Sequence, residues 1–240
     1  MMSNSLYVPT IGVMRSPFDE KFGIPRQPNL VEVEGYIEMS VPFNNPLAFE
    51  GLSQFSHLWL IWQFHENKNI ESNGAFRAQI RPPRLGGNKK IGVFASRSMY
   101  RPAPLGLSVV KFQRIEYVAD QLRIYVTGSD LLNGTPIVDI KPYIAYSDSI
   151  PYAESGYAQD EPQRKLVLWD ELARQQRDEC YRQGHLTTQR CNELEQILAL
   201  DPRPAYQDDP ERKYGMRFAG LNVKFSVKDD QVIIFNIIKC

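Results

Sequence analysis

The sequence has few cysteines, few histidines and no excess of charge of either sign. Its 240 residues include three cysteines and three histidines, against 28 Lys and Arg and 28 Asp and Glu. The cysteines, Cys180, Cys191 and Cys240, are odd in number and late in the chain, which argues against a disulfide framework and fits a reducing compartment. No CxxC pair occurs and the histidines are not at metal-ligand spacing, so no metal site is predicted.

Long apolar runs are also missing. No stretch approaches the roughly 18 residues that a membrane-spanning helix needs. The first residues, Met1–Pro9, have neither a basic start nor a long apolar stretch, so no signal peptide is predicted. We therefore expect a cytoplasmic protein without a membrane partner. The hydrophobic fraction of 42% suffices for a buried core.

The motifs of several common enzyme classes are absent. The chain has no GxGxxG, no P-loop lysine, no GxSxG elbow and no HExxH. No Cys or Ser is framed as a nucleophile. This inventory favours chemistry in which a cofactor brings the reactive group and the protein positions it.

Charge is unevenly distributed although the net charge is zero. Residues 72–115 hold nine Lys or Arg and no Asp or Glu, whereas residues 148–211 hold fourteen acids and seven bases. This asymmetry indicates a basic face and an acidic face, although a solvated basic loop is an open alternative. The nine basic residues are Arg77, Arg81, Arg84, Lys89, Lys90, Arg97, Arg101, Lys111 and Arg114.

The first part of the chain is predicted to be β-structure. Short runs rich in Val, Ile, Phe, Tyr and Trp are separated by connections that carry Gly, Pro and Asn. These runs are Tyr7–Val13, Val31–Met39, Leu58–Phe64, Ile91–Ala95, Ser108–Tyr117, Leu122–Thr127 and Pro136–Ile140. Many strands without intervening helices favour an antiparallel barrel or sandwich over a doubly wound sheet.

The pattern changes after the acidic, Pro-containing and Gly-containing segment Ser147–Pro162. Apolar residues at helical spacing predict helices over Leu166–Gln183 and Leu186–Leu200, with Gly184 ending the first and Thr187 or Thr188 capping the second.

Two further strands are predicted at the end of the chain. They are Leu221–Lys228 and Gln231–Lys239, joined by a hairpin turn at Asp229-Asp230. The predicted domains are therefore a β domain, residues 1–147, and a small α+β domain, residues 148–240, formed by two helices and then a β-hairpin.

Four segments combine rigid turns with polar side chains, which suits small-molecule recognition. The first, residues 23–28, holds Arg26 and Gln27 between two prolines that fix the backbone. In the second, residues 55–66, an apolar, aromatic run ends abruptly in His65-Glu66. Read alone, the first segment fits an ordinary rigid loop better than a site, and the histidine is compatible with a rim position that has no role.

The third segment, residues 97–108, places two arginines, two prolines and a glycine between two predicted strands. Arginine offers a planar fork of donors to carboxylate or phosphate, and glycine permits close backbone approach to a ligand. The fourth, residues 129–143, leads from a turn into a strand that ends in Asp139, Lys141 and Tyr143. Its two charges fit a structural salt bridge as well as a site.

Together these segments resemble the TsaA-like family over roughly Ile11–Tyr146. The matching segments are Pro25–Gln27, Phe64-His65, Gly92–Ser98, Arg101-Pro102, Pro104–Ser108, Asp130–Pro136 and Asp139–Tyr143. Asp201–Tyr206 and Arg212–Gly215 resemble the C-terminal domain of the bacterial branch. In one departure, Ala103 stands where the family usually has Asn between the prolines of the third segment.

The resemblance implies a mainly β protein: a single-sheet β-barrel methyltransferase domain (1–147) followed by the α+β domain. It implies S-adenosyl-L-methionine as cofactor, held near the interface of a homodimer. Members of the bacterial branch methylate N6 of threonylcarbamoyladenosine next to the anticodon, so the implied partner is a threonine-type, threonylcarbamoyl-modified tRNA.

By motif match, the resemblance also implies specific site residues. The cofactor contacts are Pro25, Arg26, Gln27, His65, Glu66, Arg97, Leu107, Asp139, Ile140, Lys141 and Pro142. Arg26 or Arg97 is expected to hold the cofactor carboxylate, and Asp139 or Glu66 to stand near its sulfonium. His65 and Asp139 are the candidate catalytic residues for removal of the N6 proton.

Two other functions stay open on the residues alone. One is a non-catalytic barrel that binds the anticodon loop by charge and aromatic stacking. The other is a methyltransferase for a small molecule. The tail offers RNA contacts of its own at Arg203, Arg212, Lys213 and Arg217.

Overall fold

The computed structural model describes residues 7–67, 76–204, 207 and 209–240. The start of the chain (1–6), the start of the basic segment (72–75) and Ala205-Tyr206 of the tail motif lie outside the described residues. Among the helices of the described ranges, none is both long and apolar enough to cross a membrane.

Antiparallel strands dominate the first part of the chain. They are β1 (Gly12–Arg15), β2 (Glu34–Met39), β3 (His57–Gln63), β4 (Gln79–Ile80), β5 (Ile91–Gly92), β6 (Leu105–Val118), β7 (Gln121–Thr127) and β8 (Pro136–Pro142). Six of them are hydrogen-bonded in the order β1-β2-β7-β6-β3-β8, and β8 pairs again with β1, so the sheet closes into a barrel. The other two, β4 and β5, pair only with each other in the part of the chain that the structure describes.

The barrel forms because its strands alternate in polarity. In β3, Leu58, Leu60 and Trp62 point into the core, whereas Trp59 and Ile61 lie on the outer side. The other strands add the interior side chains Met14, Ile37, Met39, Val110, Leu122, Ile124, Val126 and Ile137. A mainly β chain was predicted, and this prediction is confirmed.

The second part combines one four-stranded sheet with two long helices. In chain order, its elements are a short helix α1 (Ala145–Asp148), then β9 (Leu166–Trp169), α2 (Glu171–Arg182), α3 (Thr188–Ala199), β10 (Lys213–Phe218), β11 (Leu221–Lys228) and β12 (Gln231–Lys239). The sheet order is β10-β11-β12-β9, with β9 parallel to β12. Side chains of α2 and α3 share a core with the buried side of this sheet.

Two predictions for this part were wrong in detail. The helix predicted over Leu166–Gln183 begins only at Glu171, because the preceding residues form β9 and Asp170 caps the helix by accepting from Ala173 N at 2.8 Å. A strand, β10, was also missed, so the α+β unit holds more than two helices and a hairpin. Its alternation of Tyr214, Met216 and Phe218 with polar residues was the available signal.

Other local predictions are confirmed. Thr187 is the cap of α3, since its hydroxyl accepts from Arg190 N at 3.1 Å. Gly184 follows α2 with a φ of 70°, the left-handed conformation that ends helices. The hairpin turn between β11 and β12 lies at Asp229-Asp230.

Three predicted strands of the barrel part have clearly different bounds. Tyr7–Val13 is a strand only from Gly12, and β1 continues to Arg15. Ile91–Ala95 is a strand only at its first two residues, and Val93–Ala95 is a 3-10 turn closed by the Ser96 hydroxyl, which donates to Val93 O at 2.8 Å. Val31–Met39 becomes a strand only at Glu34, because Val31 lies in the core of the second sheet.

The segment before β2 joins the two parts. Phe18, Val31 and Val33 are buried in the core of the C-terminal sheet, and Phe18 bridges to Phe218 at its edge. Side chains of helix α3 form hydrogen bonds with the main chain where it enters β2. Gln196 Oε1 accepts from Glu32 N at 2.9 Å, Glu193 Oε1 accepts from Glu34 N at 3.0 Å, and Arg190 donates to Glu34 O at 3.0 Å.

Candidate active site at one end of the barrel

Several of the predicted site residues lie at the barrel end where β3 and β7 finish and β6 and β8 begin. The loop between β7 and β8 is fixed there by the N-terminal segment. Gly134 N donates to Met14 O at 2.8 Å, and the Ser16 hydroxyl donates to Leu131 O at 2.8 Å. These bonds give the barrel end a defined rim.

Two predicted residues meet at this rim. Arg97 donates from Nη1 to Gln27 Oε1 at 2.6 Å, and the arginine is exposed. No carboxylate of the described residues forms an ion pair with Arg97. An exposed guanidinium held by a neutral amide keeps its charge available for an anionic group.

The neighbouring Arg26 is used differently. Its guanidinium donates to the main-chain oxygen of Arg203 at 2.9 Å, which connects the first motif to the C-terminal part. Pro25 is buried beside it. Of the two arginines expected to hold the cofactor carboxylate, Arg97 is therefore the better placed.

A chain of hydrogen bonds runs behind the rim from Trp62 to Asp130. The indole nitrogen of Trp62 donates to the Ser108 hydroxyl at 3.0 Å, and that hydroxyl donates to Asp130 Oδ1 at 2.6 Å. Burial raises the pKa of Asp130, against the opposing effects of the Ser108 hydrogen bond and the Arg97 charge. Ser108 and Asp130 stand in the quoted motifs, but sequence reasoning gave them no role.

The packing around Gly106 explains why the third segment, residues 97–108, needs a glycine at this position. A Cβ placed on Gly106 would lie 2.3 Å from the ring carbons of Trp62, so the indole packs directly on the backbone of β6. Phe64 meets the same indole edge-on, with ring centroids 4.4 Å apart. This packing fixes Trp62 and with it the bond to Ser108.

His65 and Glu66 follow the end of β3 and are exposed. A Cβ built on Gly134, whose φ is 85°, would lie 3.8 Å from His65 Nε2, so the histidine ring borders the loop before β8. The main-chain oxygen of Glu66 accepts from Lys21 Nζ.

Of the remaining predicted residues, Leu107, Asp139 and Lys141 lie on the outer surface of the barrel. Ile140 and Pro142 stand opposite the inward-facing Leu60 and Leu58, and Ile140 packs against the barrel core. Leu107 and Asp139 are the cross-strand neighbours of Ile61 on its two sides. Asp139 Oδ2 pairs with Lys141 Nζ at 3.3 Å, and both side chains are about half exposed or more, at 46% and 61%. The same carboxylate accepts from Ile140 N at 2.9 Å.

Asp139 and Lys141 were predicted near the end of a strand, and they lie among the last four residues of β8, which ends at Pro142. His65 follows the end of β3, whereas Asp139 stands opposite Ile61 within the sheet. The two catalytic candidates therefore belong to different places, one at the barrel end and one on the outer surface.

The described surface also contains two broad clefts. One, of about 560 Å³, lies between the barrel and α3 and is lined by polar side chains that include Glu32, Lys111 and Gln196. The other, of about 670 Å³, lies beside Phe55 and Ile115. Neither is lined by a predicted site residue. Within the described ranges, no group of three His, Cys, Asp or Glu is arranged to hold a metal ion.

Comparison with known proteins agrees with the motifs. Residues 13–149 match the family model of the tRNA-methyltransferase O N-terminal domain, and residues 162–240 match that of the TrmO C-terminal domain. The chain belongs to the tRNA-methyltransferase O (TrmO) family. The predicted family relationship is thereby confirmed.

Relatives extend over nearly the whole chain. A putative S-adenosylmethionine-dependent methyltransferase, RcsF, of Pseudomonas aeruginosa is 45% identical over 219 residues, or 90% of each chain. The tRNA (adenine(37)-N6)-methyltransferase of Escherichia coli is 39% identical over 230 residues, or 94% of each. The crystal structure of TrmO from P. aeruginosa superposes with a TM-score of 0.78 at 36% identity, covering 98% of both chains.

Proposed function

We propose that this chain is an S-adenosylmethionine-dependent tRNA (adenine-N6)-methyltransferase that modifies threonylcarbamoyladenosine next to the anticodon and works as a cytoplasmic homodimer. The observation that carries the activity is the match of both TrmO family models, in order, together with a methyltransferase relative that is aligned over 94% of its own length. The proposal adds two points to this activity: the substrate nucleotide carries the threonylcarbamoyl group, and the protein works as a dimer.

The rim of the barrel fits the cofactor. S-adenosylmethionine carries a carboxylate, and Arg97 is an exposed cation whose described partner at the rim is the amide of Gln27. The left-handed Gly134 leaves room beside His65 for a flat group to approach the backbone. In our proposal Arg97 and Gln27 hold the amino-acid end of the cofactor, and His65 faces the acceptor.

The cofactor supplies a methyl group already activated by its positive sulfur, so the protein needs no covalent intermediate. What the chain contributes is alignment of the acceptor nitrogen and removal of its proton. Alignment of this kind contributes on the order of 7–11 kcal/mol to lowering a barrier. A rim held by main-chain bonds, such as that of Gly134 N to Met14 O, suits this task.

The outer surface of the barrel supports the homodimer. Leu107 is 53% exposed there, and beyond it Ile144, Tyr146 and Ile150 are 38%, 93% and 74% exposed. Trp59 of the same surface is anchored by α1, through its indole nitrogen and Asp148 Oδ2 at 2.9 Å. Contiguous exposed apolar side chains are typical of protein interfaces. A partner seated here would cover Leu107, Asp139 and Lys141, and would bring these predicted residues close to an interface.

The basic segment supports the tRNA partner. Its exposed rings Phe76 and Phe94 stack with centroids 6.0 Å apart, and Arg101 lies 5.7 Å over the Phe94 ring. Arg77 lies 4.6 Å over Tyr100 in the same segment. Exposed aromatic rings among arginines, without acidic residues nearby in sequence, suit unpaired bases and phosphates.

The proposal is tested by transfer of label from methyl-labelled S-adenosylmethionine into tRNA with and without the threonylcarbamoyl group. We expect label in the modified tRNA only. If the cofactor binds and neither tRNA is labelled, the acceptor is another molecule. If the cofactor does not bind either, the chain is an RNA-binding module and the enzymatic proposal fails.

A further inference from the structure

The exposed side of strands β10 and β11 is made of polar and basic residues, whereas the other two strands of the C-terminal sheet expose apolar side chains, including Ile238 on β12 and Leu166 on β9. In β10 and β11 the buried positions alternate with positions that face away from the helices. Those outward positions are Lys213, Gly215, Arg217, Asn222, Lys224, Ser226 and Lys228. They include four cations and no carboxylate.

The strand register places these cations in one zigzag row. Lys213 is opposite Ser226, Gly215 is opposite Lys224, and Arg217 is opposite Asn222. The order along the row is therefore Arg217, Lys224, Lys213 and Lys228, each diagonal to the next. Diagonal neighbours in a sheet are about 7–8 Å apart.

No described carboxylate forms an ion pair with any cation of the row. Four exposed cations with no carboxylate among them create a local positive potential, which attracts an anionic partner. Lys213 also lies 5.4 Å over the ring of Phe235, which places an aromatic side chain beside the cations. Charge and ring together favour a nucleic-acid backbone over an apolar protein partner.

The row adjoins the barrel end. Phe218, at the end of β10, bridges to Phe18, and Phe18 O accepts from Asn133 N in the loop before β8 at 3.0 Å. Arg217 N donates to Glu20 at 2.8 Å, so the chain segment after β1 connects β10 to the rim. These contacts join β10, which carries part of the basic row, to the chain segment that fixes the rim of the candidate active site.

The other two tail arginines are placed differently. Arg203 is buried and donates to both carboxylate oxygens of Asp201 at 2.8 Å. Arg212 lies 5.4 Å over the ring of Tyr214, whose side chain points into the core. Of the four tail bases suggested by the sequence, Lys213 and Arg217 are on the exposed side, where Lys224 and Lys228 join them.

We infer that this side of the C-terminal sheet binds the phosphate backbone of the tRNA outside the nucleotide that enters the barrel end. This inference rests on the proposed tRNA substrate. It gives the C-terminal domain a role in affinity, whereas methyl transfer is assigned to the barrel end.

The test uses the full chain with Arg217→Gln and Lys224→Gln combined. The matched control is Arg174→Gln with Arg182→Gln, which removes two exposed charges from α2. Binding of threonylcarbamoyl-modified tRNA is measured over a series of salt concentrations, and cofactor binding by calorimetry. For the test pair we expect about ten-fold weaker tRNA binding at low salt and a salt slope smaller by roughly two units. The control pair should keep the original affinity and slope, and both should keep their cofactor affinity.

Unchanged tRNA affinity and slope in the test pair, or an equal loss in the control pair, would overturn the inference while leaving methyl transfer in place. A separate outcome concerns the function itself: if the unsubstituted chain binds no tRNA, the proposed function and this inference fail together. Steady-state kinetics give a second reading. The test pair should raise the KM for tRNA and leave kcat unchanged, whereas a disturbed fold would lower kcat as well.

Discussion

Ser108 donates a 2.6 Å hydrogen bond to Asp130 and so ties β6 to the loop that follows β7. The same hydroxyl accepts from Trp62, whose ring is held by the backbone of Gly106. The rim of the candidate site therefore depends on a carboxyl group that lies largely away from water.

Asp130→Asn tests the cost of that burial. Burial raises the pKa of Asp130 above its usual value of 3.8, so the folded chain binds this proton more tightly than the unfolded chain. The group's contribution thus favours folding below the unfolded pKa and is lost as pH rises through the folded pKa. Asparagine has no proton to lose and can still accept from Ser108. We expect the variant to unfold at a higher temperature than the original chain at about pH 7, with the difference shrinking towards about pH 4. Equal melting temperatures at both pH values would contradict the assignment.

Arg97→Ala tests the cofactor-binding role. Loss of a charged hydrogen bond typically costs about 1.5–3 kcal/mol, so affinity for S-adenosylmethionine should fall roughly 10-fold to 100-fold in calorimetry. Arg97 is exposed, so the melting temperature should stay the same. Arg174→Ala on α2 is the matched control and should bind the cofactor normally. An Arg97 variant with intact cofactor affinity would remove Arg97 from the site.

Glu193→Ala tests the attachment of α3 to the barrel. The Glu193 side chain is 2% exposed, pairs with Arg190 at 2.6 Å and accepts from Glu34 N. Its removal leaves a cation and an N–H without their partner, and should lower the free energy of unfolding by about 2–4 kcal/mol in denaturant titration. Glu179→Ala breaks an exposed pair with Arg182 and should cost no more than about 0.5–1 kcal/mol. Similar losses of unfolding free energy in the two variants would mean that the buried Glu193 contact stabilises the fold no more than the exposed pair does.

Lys89→Gln with Lys90→Gln tests the basic segment. Both lysines are exposed, and the proposal places them against tRNA phosphates. Binding should weaken, and the salt slope should fall by about two units, as expected for two lost phosphate contacts. Cofactor affinity should not change. A slope equal to that of the original chain would exclude these lysines from the interface.

Local sequence patterns predicted much of the fold. Alternation in β3 and β7, the cap at Thr187 and the stop at Gly184 each depend on neighbours in sequence, and all are present in the structure. Elements that depend on distant partners were not predicted. Leu166–Trp169 has an apolar run that fits a helix or a strand, and only its pairing with Gln231–Ile234 makes it a strand.

The candidate site shows the same division. The meeting of Arg97 with Gln27 was accessible through the family motifs, because both residues stand in them. The link from Ser108 to Asp130 was not, since it requires knowing which side of β6 faces the loop after β7. The separation of His65 from Asp139 also follows from the register between β3 and β8, which no short motif encodes.

The contact of Phe18 with Phe218 joins residues 200 positions apart and therefore has a consequence for biosynthesis. At about 5–20 residues per second, the ribosome needs roughly 10–40 s to deliver the second ring after the first. During that interval Phe18, Val31 and Val33 lack the sheet side of their core, because β10, β11 and β12 are made only after α2 and α3. The nascent chain thus carries an apolar segment that chaperones can bind until the last strands emerge.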